Sequence, residues 1–225
     1  GSVHRKTFSM RDKLVKNFAL FRSFLSDLDF HSLPGLSSQL SMAPESRQGD
    51  IRESGKGRSP RQSSVLLLFY PDAEHQPSLV LIRRSVYAGV HSGQIAFPGG
   101  RFEPEDGNMQ QTALRETQEE IGVKPETITI SGKLTELYIP PSNYMVHPYV
   151  GYLPFRPDFR PDPKEVSALI EIRLSALLDT NNRHVRRIHA GNYQIDAPCM
   201  TVDGHIIWGA TAKIMAEFLD LTGLN

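Results

Sequence analysis

Residues 99–123 read GGRFEPEDGNMQQTALRETQEEIGV, and this stretch decides how the rest of the chain is interpreted. It opens with two Gly residues, which let a backbone turn tightly and approach a ligand closely. An acidic loop broken by Pro and Gly follows, and residues 109–121 then predict a helix that ends at Gly122. The stretch therefore predicts a ligand-facing turn that leads into a helix.

Three carboxylates share one side of this predicted helix. At about 3.6 residues per turn, Glu116 and Glu120 lie one turn apart, and Glu119 lies beside both. Like charges at this spacing repel one another, so the cluster does not stabilise a helix on its own. Hard carboxylate oxygens suit Mg²⁺ or Mn²⁺. Glu116, Glu119 and Glu120 are therefore the predicted metal ligands, and a solvent-exposed acidic helix end is the alternative.

The pattern resembles the Nudix box of the Nudix hydrolase superfamily. The letters RETQEEIGV at residues 115–123 match the end of that box, REUxEExGU, in which U is a bulky aliphatic residue. Two features differ: Thr117 stands at an aliphatic position, and one extra residue separates Asp106 from Arg115. Both differences are familiar from the coenzyme A pyrophosphatase branch of the superfamily.

A second signature of that branch precedes the box. Residues 81–100 read LIRRSVYAGVHSGQIAFPGG and resemble it through RS at 84–85, GQ at 93–94 and FPGG at 97–100. Many members of the branch carry an Arg where this chain has Gly89. That difference bears on the substrate more than on the reaction.

The resemblance implies metal-dependent hydrolysis of a diphosphate linkage. In this branch the substrate is coenzyme A or a derivative, and the products are adenosine 3′,5′-bisphosphate and 4′-phosphopantetheine. Another nucleoside diphosphate derivative, such as ADP-ribose or a dinucleotide, is the alternative substrate. A nucleotide-sensing module without catalysis is the alternative outside the enzymes, but the intact Arg115 and box carboxylates favour an enzyme.

Catalytic roles are expected for a small set of charged residues. The resemblance implies that Arg115 orients a carboxylate, with Glu103 or Asp106 as its partner. The general base is expected to be Glu119 or Glu120, and Glu165, in a loop rich in Pro and Asp, is the second candidate. His91 and His147 are weaker candidates, because an isolated His is more often a packing residue.

Substrate contacts are expected from segments on either side of the box. Arg83 and Arg84 end a predicted strand and suit bidentate contact with phosphate, with surface ion pairs as the alternative. The backbone of Gly99 and Gly100 is expected beside the metal ions. Tyr144, in a loop rich in Pro and aromatic residues, can stack on a base, with packing inside the protein as the alternative.

Length and composition limit the remaining possibilities. The chain has 225 residues, a formal net charge of +0 at pH 7 and one Cys, so it has no overall basic charge for nucleic acid and no intrachain disulfide. No apolar run reaches the roughly 20 residues needed to cross a bilayer. We expect a cytoplasmic protein that binds a small molecule and neither nucleic acid nor a membrane.

Two parts are predicted along the chain. Residues 1–63 combine an amphipathic helix, residues 11–29, with a linker at 45–64 that is rich in Ser, Arg and Gly. The apolar stripe of this helix packs on the domain or forms a homodimer contact. It consists of Leu14, Phe18, Phe21, Leu25 and Leu28.

Residues 64–225 are predicted to form the catalytic domain. Strands at 64–70 and 78–84 and a helix at 209–221 flank the box, and Asp203-Gly204 predicts a late hairpin turn. Strands interleaved with helices predict an α/β protein with a mixed β-sheet and helices on both faces. The resemblance likewise implies an α/β/α sandwich, here preceded by the N-terminal helical extension.

Overall fold

A mixed eight-stranded sheet lies at the centre of the computed structural model, which describes residues 9–44, 59–86, 93–190 and 192–225. The described helices are α1 Met10–Lys16, α2 Phe18–Asp27, α3 Leu36–Ser41, α4 Met109–Ile121, α5 Leu174–Leu178 and α6 Gly209–Thr222. The described strands are β1 Arg61–Pro71, β2 Pro77–Arg84, β3 Ile95–Ala96, β4 Gly99–Arg101, β5 Thr129–Lys133, β6 Leu137–Ile139, β7 Tyr144–Tyr152, β8 Val166–Arg173, β9 Arg183–Ala190, β10 Tyr193–Val202 and β11 His205–Trp208.

β1 is the central strand of this sheet. Along one edge it pairs in parallel with β7 over its residues 61–69. Along its other edge it pairs antiparallel with β2 at residues 69–71 and with β4 at residues 63–65. β3 pairs with the far end of β2, so β3 and β4 lie where β1 and β2 separate. Gly99 and Gly100, in β4, therefore lie beside the central strand of the sheet.

The two faces of the sheet bury different helices. Leu66, Leu68 and Tyr70 of β1 pack in a core with residues of α4, and we call this side the α4 face. Leu67 and Phe69 project to the other side, the opposite face, into a larger core that includes residues of α1, α2, α5 and α6. The alternation follows from the two-residue period of a strand. The prediction of a mixed sheet with helices on both faces is confirmed.

Residues 10–27 form two helices, so the prediction of one helix over residues 11–29 is wrong. Asn17 has extended backbone angles, φ −142° and ψ 105°, and its side-chain oxygen accepts from the Leu20 N–H at 3.1 Å. This local cap ends α1 and starts α2. Leu14, Phe18 and Phe21 are nevertheless buried on the opposite face of the sheet. The stripe is thus covered by this chain itself and offers no exposed face to a second copy.

The Pro- and aromatic-rich segment 138–148 was predicted to be a loop, and this prediction is wrong. Residues 137–139 form β6, a short 3₁₀ turn follows, and β7 begins at Tyr144. Asn143 takes the left-handed conformation, φ 52°, and accepts a hydrogen bond from the Tyr138 hydroxyl at 2.8 Å. Similarly, residues 61–64 belong to β1 rather than to the predicted linker, whose residues 45–58 lie outside the described ranges.

The C-terminal part contains a second sheet in the order β11-β10-β9, which packs with α6. The predicted hairpin turn is confirmed: Asp203 and Gly204 have φ values of 50° and 78°, as a two-residue hairpin of this type requires. β9 and β10 also pair antiparallel, over residues 183–190 and 193–200. Among the described residues, no helix is long and apolar enough to cross a membrane.

Candidate active site

Helix α4 begins and ends where the sequence predicts. Asn108 Oδ1 accepts from the Gln111 N–H at 2.9 Å, and Gly122 ends the helix in the left-handed conformation, φ 75°. Thr117 is fully buried, and its hydroxyl donates to the Ala113 carbonyl at 2.7 Å. The residue that replaces an aliphatic one in the box therefore leaves no unpaired hydroxyl in the core.

Glu120 is a buried carboxylate that contacts the backbone of the Gly pair. Its side chain is 1% exposed, and its Oε1 accepts from the Gly99 N–H at 2.7 Å. Burial, helped by the charges of Glu116 and Glu165, raises the pKa of Glu120 to about 8, although the positive charge of Arg84 and the Gly99 N–H oppose the rise. A buried carboxylate with negative neighbours is unfavourable alone and is stabilised by a cation.

Glu116 occupies the space beside Gly100. A Cβ placed on Gly100 would lie 2.5 Å from Glu116 Cδ, so a side chain at this position would displace the carboxylate. A Cβ on Gly99 would overlap the backbone of Ser64 and Val65 in β1. Burial also raises the pKa of Glu116. Gly99 is required because β4 lies close to β1, and Gly100 because β4 lies close to α4.

Arg115 holds the loop before the helix through Asp106. Arg115 Nε donates to Asp106 Oδ1 at 2.6 Å and Nη2 donates to Oδ2 at 3.0 Å, a bidentate pair. These bonds hold the pKa of Asp106 at about 2. Glu103, the other partner considered, lies 3.9 Å from Arg115 Nη1. The Thr112 hydroxyl also donates to Asp106, at 2.8 Å. The sequence did not predict this contact.

Arg115 also contacts the metal-ligand candidates. Its Nη1 donates to Glu116 Oε1 at 3.1 Å and to Glu119 Oε2 at 3.2 Å, and its Nη2 donates to the Arg101 carbonyl at 2.9 Å. Glu119 is the most accessible of the three box carboxylates, with 53% of its side chain exposed. Arg115 therefore connects the box loop, strand β4 and two of the carboxylates.

The donor set fits a divalent cation. Glu116 is half-buried and Glu120 is buried, and burial raises the pKa of both carboxyl groups. Mg²⁺ and Mn²⁺ prefer hard oxygen ligands such as these carboxylates. Within the described part of the chain, no group of three His, Cys, Asp or Glu residues already converges on one point. The oxygens of Glu116 and Glu119 that face Arg115 are engaged by its guanidinium.

The structure separates the two candidate phosphate-binding arginines. Arg84 lies near Glu120. Among the groups that lower the pKa of this carboxyl, the positive charge of Arg84 has the largest effect. Arg83 projects the other way, and its Nη2 lies 3.2 Å from His205 Nδ1 in the second sheet. Glu165 follows an exposed loop and precedes β8, and its charge raises the pKa of both Glu116 and Glu120.

Two other candidates lie apart from the carboxylates. Tyr144 faces the Arg61 guanidinium, 4.4 Å from the ring centre. It lies two strands from Gly100 and three residues along the strand, about 14 Å away by standard strand spacings. His147 is a packing residue bonded to Gln62 at 2.6 Å. His91 and Gly89 lie outside the described residues.

A contact that the sequence did not predict involves the end of α4. The Asp162 N–H donates to the Glu120 carbonyl and the Arg160 N–H donates to the Ile121 carbonyl, both at 2.9 Å. The loop that contains Glu165 is therefore bonded to the helix that contains the carboxylates. The only signal in the sequence is the Pro- and Asp-rich run at 156–163, which indicates a loop but not its contacts.

The fold and the box together define a Nudix-type α/β/α protein, and comparison with known proteins agrees. The NUDIX domain model matches residues 60–190, more than half of the chain. The Nudix hydrolase NudL of Yersinia pestis (strain Pestoides F), itself uncharacterized, is 36% identical over 140 residues, which are 62% of this chain and 70% of the relative. The chain therefore belongs to the Nudix family, whose hydrolases generally use divalent ions such as Mg²⁺ or Mn²⁺.

One solved structure supports the fold at low identity. The MutT/nudix family protein from Enterococcus faecalis is 17% identical with a TM-score of 0.50, over 76% of this chain and 65% of that chain. The MutT protein from Methanosarcina mazei Go1 is 18% identical with a TM-score of 0.47, over 73% of this chain and 96% of that chain. The first of these likenesses supports the fold, and neither identifies a substrate.

Proposed function

We propose that this protein hydrolyses the diphosphate linkage of coenzyme A or its derivatives to adenosine 3′,5′-bisphosphate and 4′-phosphopantetheine. The observation that carries the reaction is the close approach of Glu116 and Glu120, one half-buried and one buried carboxylate, to the Gly99-Gly100 backbone of β4. The substrate assignment is supported by the resemblance of residues 81–100 to the signature of the coenzyme A pyrophosphatase branch.

Each part of the site has a distinct task in this proposal. Glu116, Glu119 and Glu120 would hold Mg²⁺ or Mn²⁺, which when bound neutralises charge on diphosphate oxygens and lowers the pKa of a bound water. Arg115 keeps Glu116 and Glu119 in place through its bond to Asp106. Gly99 fixes Glu120 from the other side. A cationic Arg84 suits contact with a phosphate of the substrate.

Glu165 is the general base in this proposal. Glu120 is almost fully buried and bonded to Gly99, whereas Glu119 is bonded to Arg115. Glu165 is exposed to water and near the other carboxylates. It accepts the proton of the water whose oxygen bonds to phosphorus, while the P–O bond to the bridging oxygen breaks and the departing phosphate takes the electron pair. A positioned base contributes about 10²-fold or more to such a step.

A second substrate class is favoured by one residue. Gly89 stands where many members of the coenzyme A pyrophosphatase branch have an Arg, and this difference counts against coenzyme A as the substrate. Hydrolysis of ADP-ribose or of a dinucleotide is therefore the second candidate. A sensor without catalysis is disfavoured because Arg115 and the box carboxylates are intact and interact with one another.

Product analysis on a small panel tests both proposals. Coenzyme A, acetyl-coenzyme A, oxidised coenzyme A, ADP-ribose and a diadenosine polyphosphate are each incubated with Mg²⁺ or Mn²⁺, and products are separated by chromatography. We expect kcat/KM on a coenzyme A compound to exceed that on ADP-ribose by about tenfold or more, equivalent to ~1.4 kcal/mol. Equal values would refute the narrow substrate assignment. Absence of cleavage of every compound would refute the hydrolase.

A further inference from the structure

Residues 160–165, which we call the strap, bind the end of the helix that contains the box carboxylates. The last carbonyls of a helix have no partner within the helix. Here the Arg160 and Asp162 N–H groups donate to the carbonyls of Ile121 and Glu120, both at 2.9 Å. A Cβ on Gly122 would lie 2.8 Å from the Arg160 Cβ. The Gly at the end of α4 therefore lets the strap lie against the helix.

Asp162 forms the turn that leads to Glu165. Its Oδ1 accepts from the Lys164 N–H at 3.0 Å, and its carbonyl accepts from the N–H groups of Glu165 at 3.1 Å and Val166 at 2.8 Å. The same residue donates its own N–H to Glu120. One residue thus connects the backbone of a box carboxylate to the backbone of the proposed general base.

The strap is held from its other side by the end of β2. The Ser85 N–H donates to the Glu165 carbonyl at 3.0 Å, and the Ser85 hydroxyl donates to the Pro163 carbonyl at 3.2 Å. Ser85 directly follows Arg84, which lies near Glu120. The backbone of Glu165 is therefore fixed between α4 and β2, while its side chain stays exposed.

We propose that Asp162 is a positioning residue, which sets the carboxylate of Glu165 beside Glu116 and Glu120 through the strap. The inference rests on the proposed role of Glu165 as general base. If the turn served stability alone, breaking it would lower the free energy of unfolding and leave the kcat of the folded protein unchanged. A positioning role lowers kcat, and only while Glu165 retains its carboxylate.

Three variants of the full chain test this role by steady-state kinetics on the diphosphate compound that the wild type cleaves best. Asp162→Ala is expected to lower kcat about tenfold with KM within about twofold, because displacement of a catalytic group affects the reaction more than binding. Asp162→Asn keeps an oxygen that accepts from Lys164 and is expected to restore kcat to within about twofold of the wild type. Asp158→Ala is the matched control, since that side chain is 90% exposed and contacts the strap only through a 3.7 Å ion pair with Arg160, itself 81% exposed.

A double-mutant cycle separates positioning from a general effect. Glu165→Gln is expected to lower kcat about 10²-fold, and adding Asp162→Ala should lower it no further. Two independent effects would instead multiply. The inference would be overturned if the losses in kcat of the two single variants multiply in the double variant. It would also be overturned if Asp162→Ala has the same kcat as Asp158→Ala. Full activity of Glu165→Gln would overturn it as well, by removing the base.

Hydrogen exchange gives a readout that does not depend on turnover. In Asp162→Ala two amides are expected to exchange about tenfold faster, that of Lys164, which loses its side-chain acceptor, and that of Glu165 in the same turn, while amides of α2 keep wild-type protection. Unchanged exchange at both amides would overturn the inference. Failure of the hydrolase proposal looks different: the wild type then cleaves nothing, whereas failure of the inference leaves a fully active wild type.

Discussion

The two faces of the central sheet differ in what they bury. On the α4 face, apolar residues of β1 share the core with a helix that also buries Thr117 and Glu120. The opposite face is covered by side chains such as Phe21 of α2, whose ring centre is 5.1 Å from that of Phe69 in β1. Burying a carboxylate opposes folding, whereas burying aromatic surface favours it. The comparison indicates that the opposite face stabilises a fold whose α4 face is built for chemistry.

The largest expected effect is the loss of turnover on the α4 face. Glu120→Gln keeps the size of the side chain but removes its charge, so kcat should fall about 10³-fold. Without added metal the unfolding temperature should stay close to that of the wild type, because the raised pKa of about 8 keeps most of the Glu120 carboxyl uncharged at pH 7. Turnover and thermal unfolding are measured on the same preparation. Undiminished turnover at saturating Mg²⁺ would remove Glu120 from the metal site.

The converse effect is expected on the opposite face. Phe21→Ala deletes a fully buried ring and should lower the free energy of unfolding by about 3 kcal/mol, with kcat per folded molecule within about twofold. Urea denaturation measures the first quantity and a turnover assay the second. Leu20→Ala, at a position 47% exposed in the same helix, is the matched control. A large fall in kcat would mean that this face also shapes the site.

The ion pair between Asp106 and Arg115 gives a smaller, pH-dependent effect. Asp106→Asn should lower the free energy of unfolding by about 2 kcal/mol near neutral pH. The pKa of Asp106 is about 2 in the folded chain against an ordinary 3.8, so its contribution is complete above pH 3.8 and is lost as pH falls toward 2. Urea titrations at several pH values should show the two proteins converging. A constant difference between pH 7 and pH 3 would contradict this.

The smallest effect distinguishes two neighbouring residues that belong to opposite faces. Arg84→Ala should lower kcat/KM about tenfold, or ~1.4 kcal/mol, because its charge lies near Glu120. Arg83→Ala should change it by less than about threefold, because Arg83 contacts His205 instead. Steady-state assays compare the two variants. Equal losses would show that both arginines reach the substrate.

Local signals made the box helix predictable. Its start and end follow from a capping Asn108 and a left-handed Gly122, and its buried side follows from the helical period. The apolar stripe of the N-terminal segment was also recognisable. Its division into two helices was not, because the Asn17 side chain caps a second helix within a stripe that continues across the break.

Features that depend on distant partners could not be predicted. Residues 140–148 read as a loop by composition, but parallel pairing with β1 makes most of them a strand. Strand alternation places Arg83 and Arg84 on different faces without saying which one meets the carboxylates. The choice of Asp106 over Glu103 as the partner of Arg115 depends on the turn before the helix. The bonds between Asp162 and α4 join residues that no short-range pattern connects.

The parallel pairing of β1 with β7 has a consequence for how the chain reaches its folded state. The two strands are joined by a connection that contains the entire box and α4. Contacts between such distant segments form late, because a long loop must close before they contribute. A nascent chain that has emerged from the ribosome only as far as the end of α4 still lacks β7, the parallel neighbour of β1. Completion of the sheet that supports the carboxylates therefore awaits synthesis of residues 144–152.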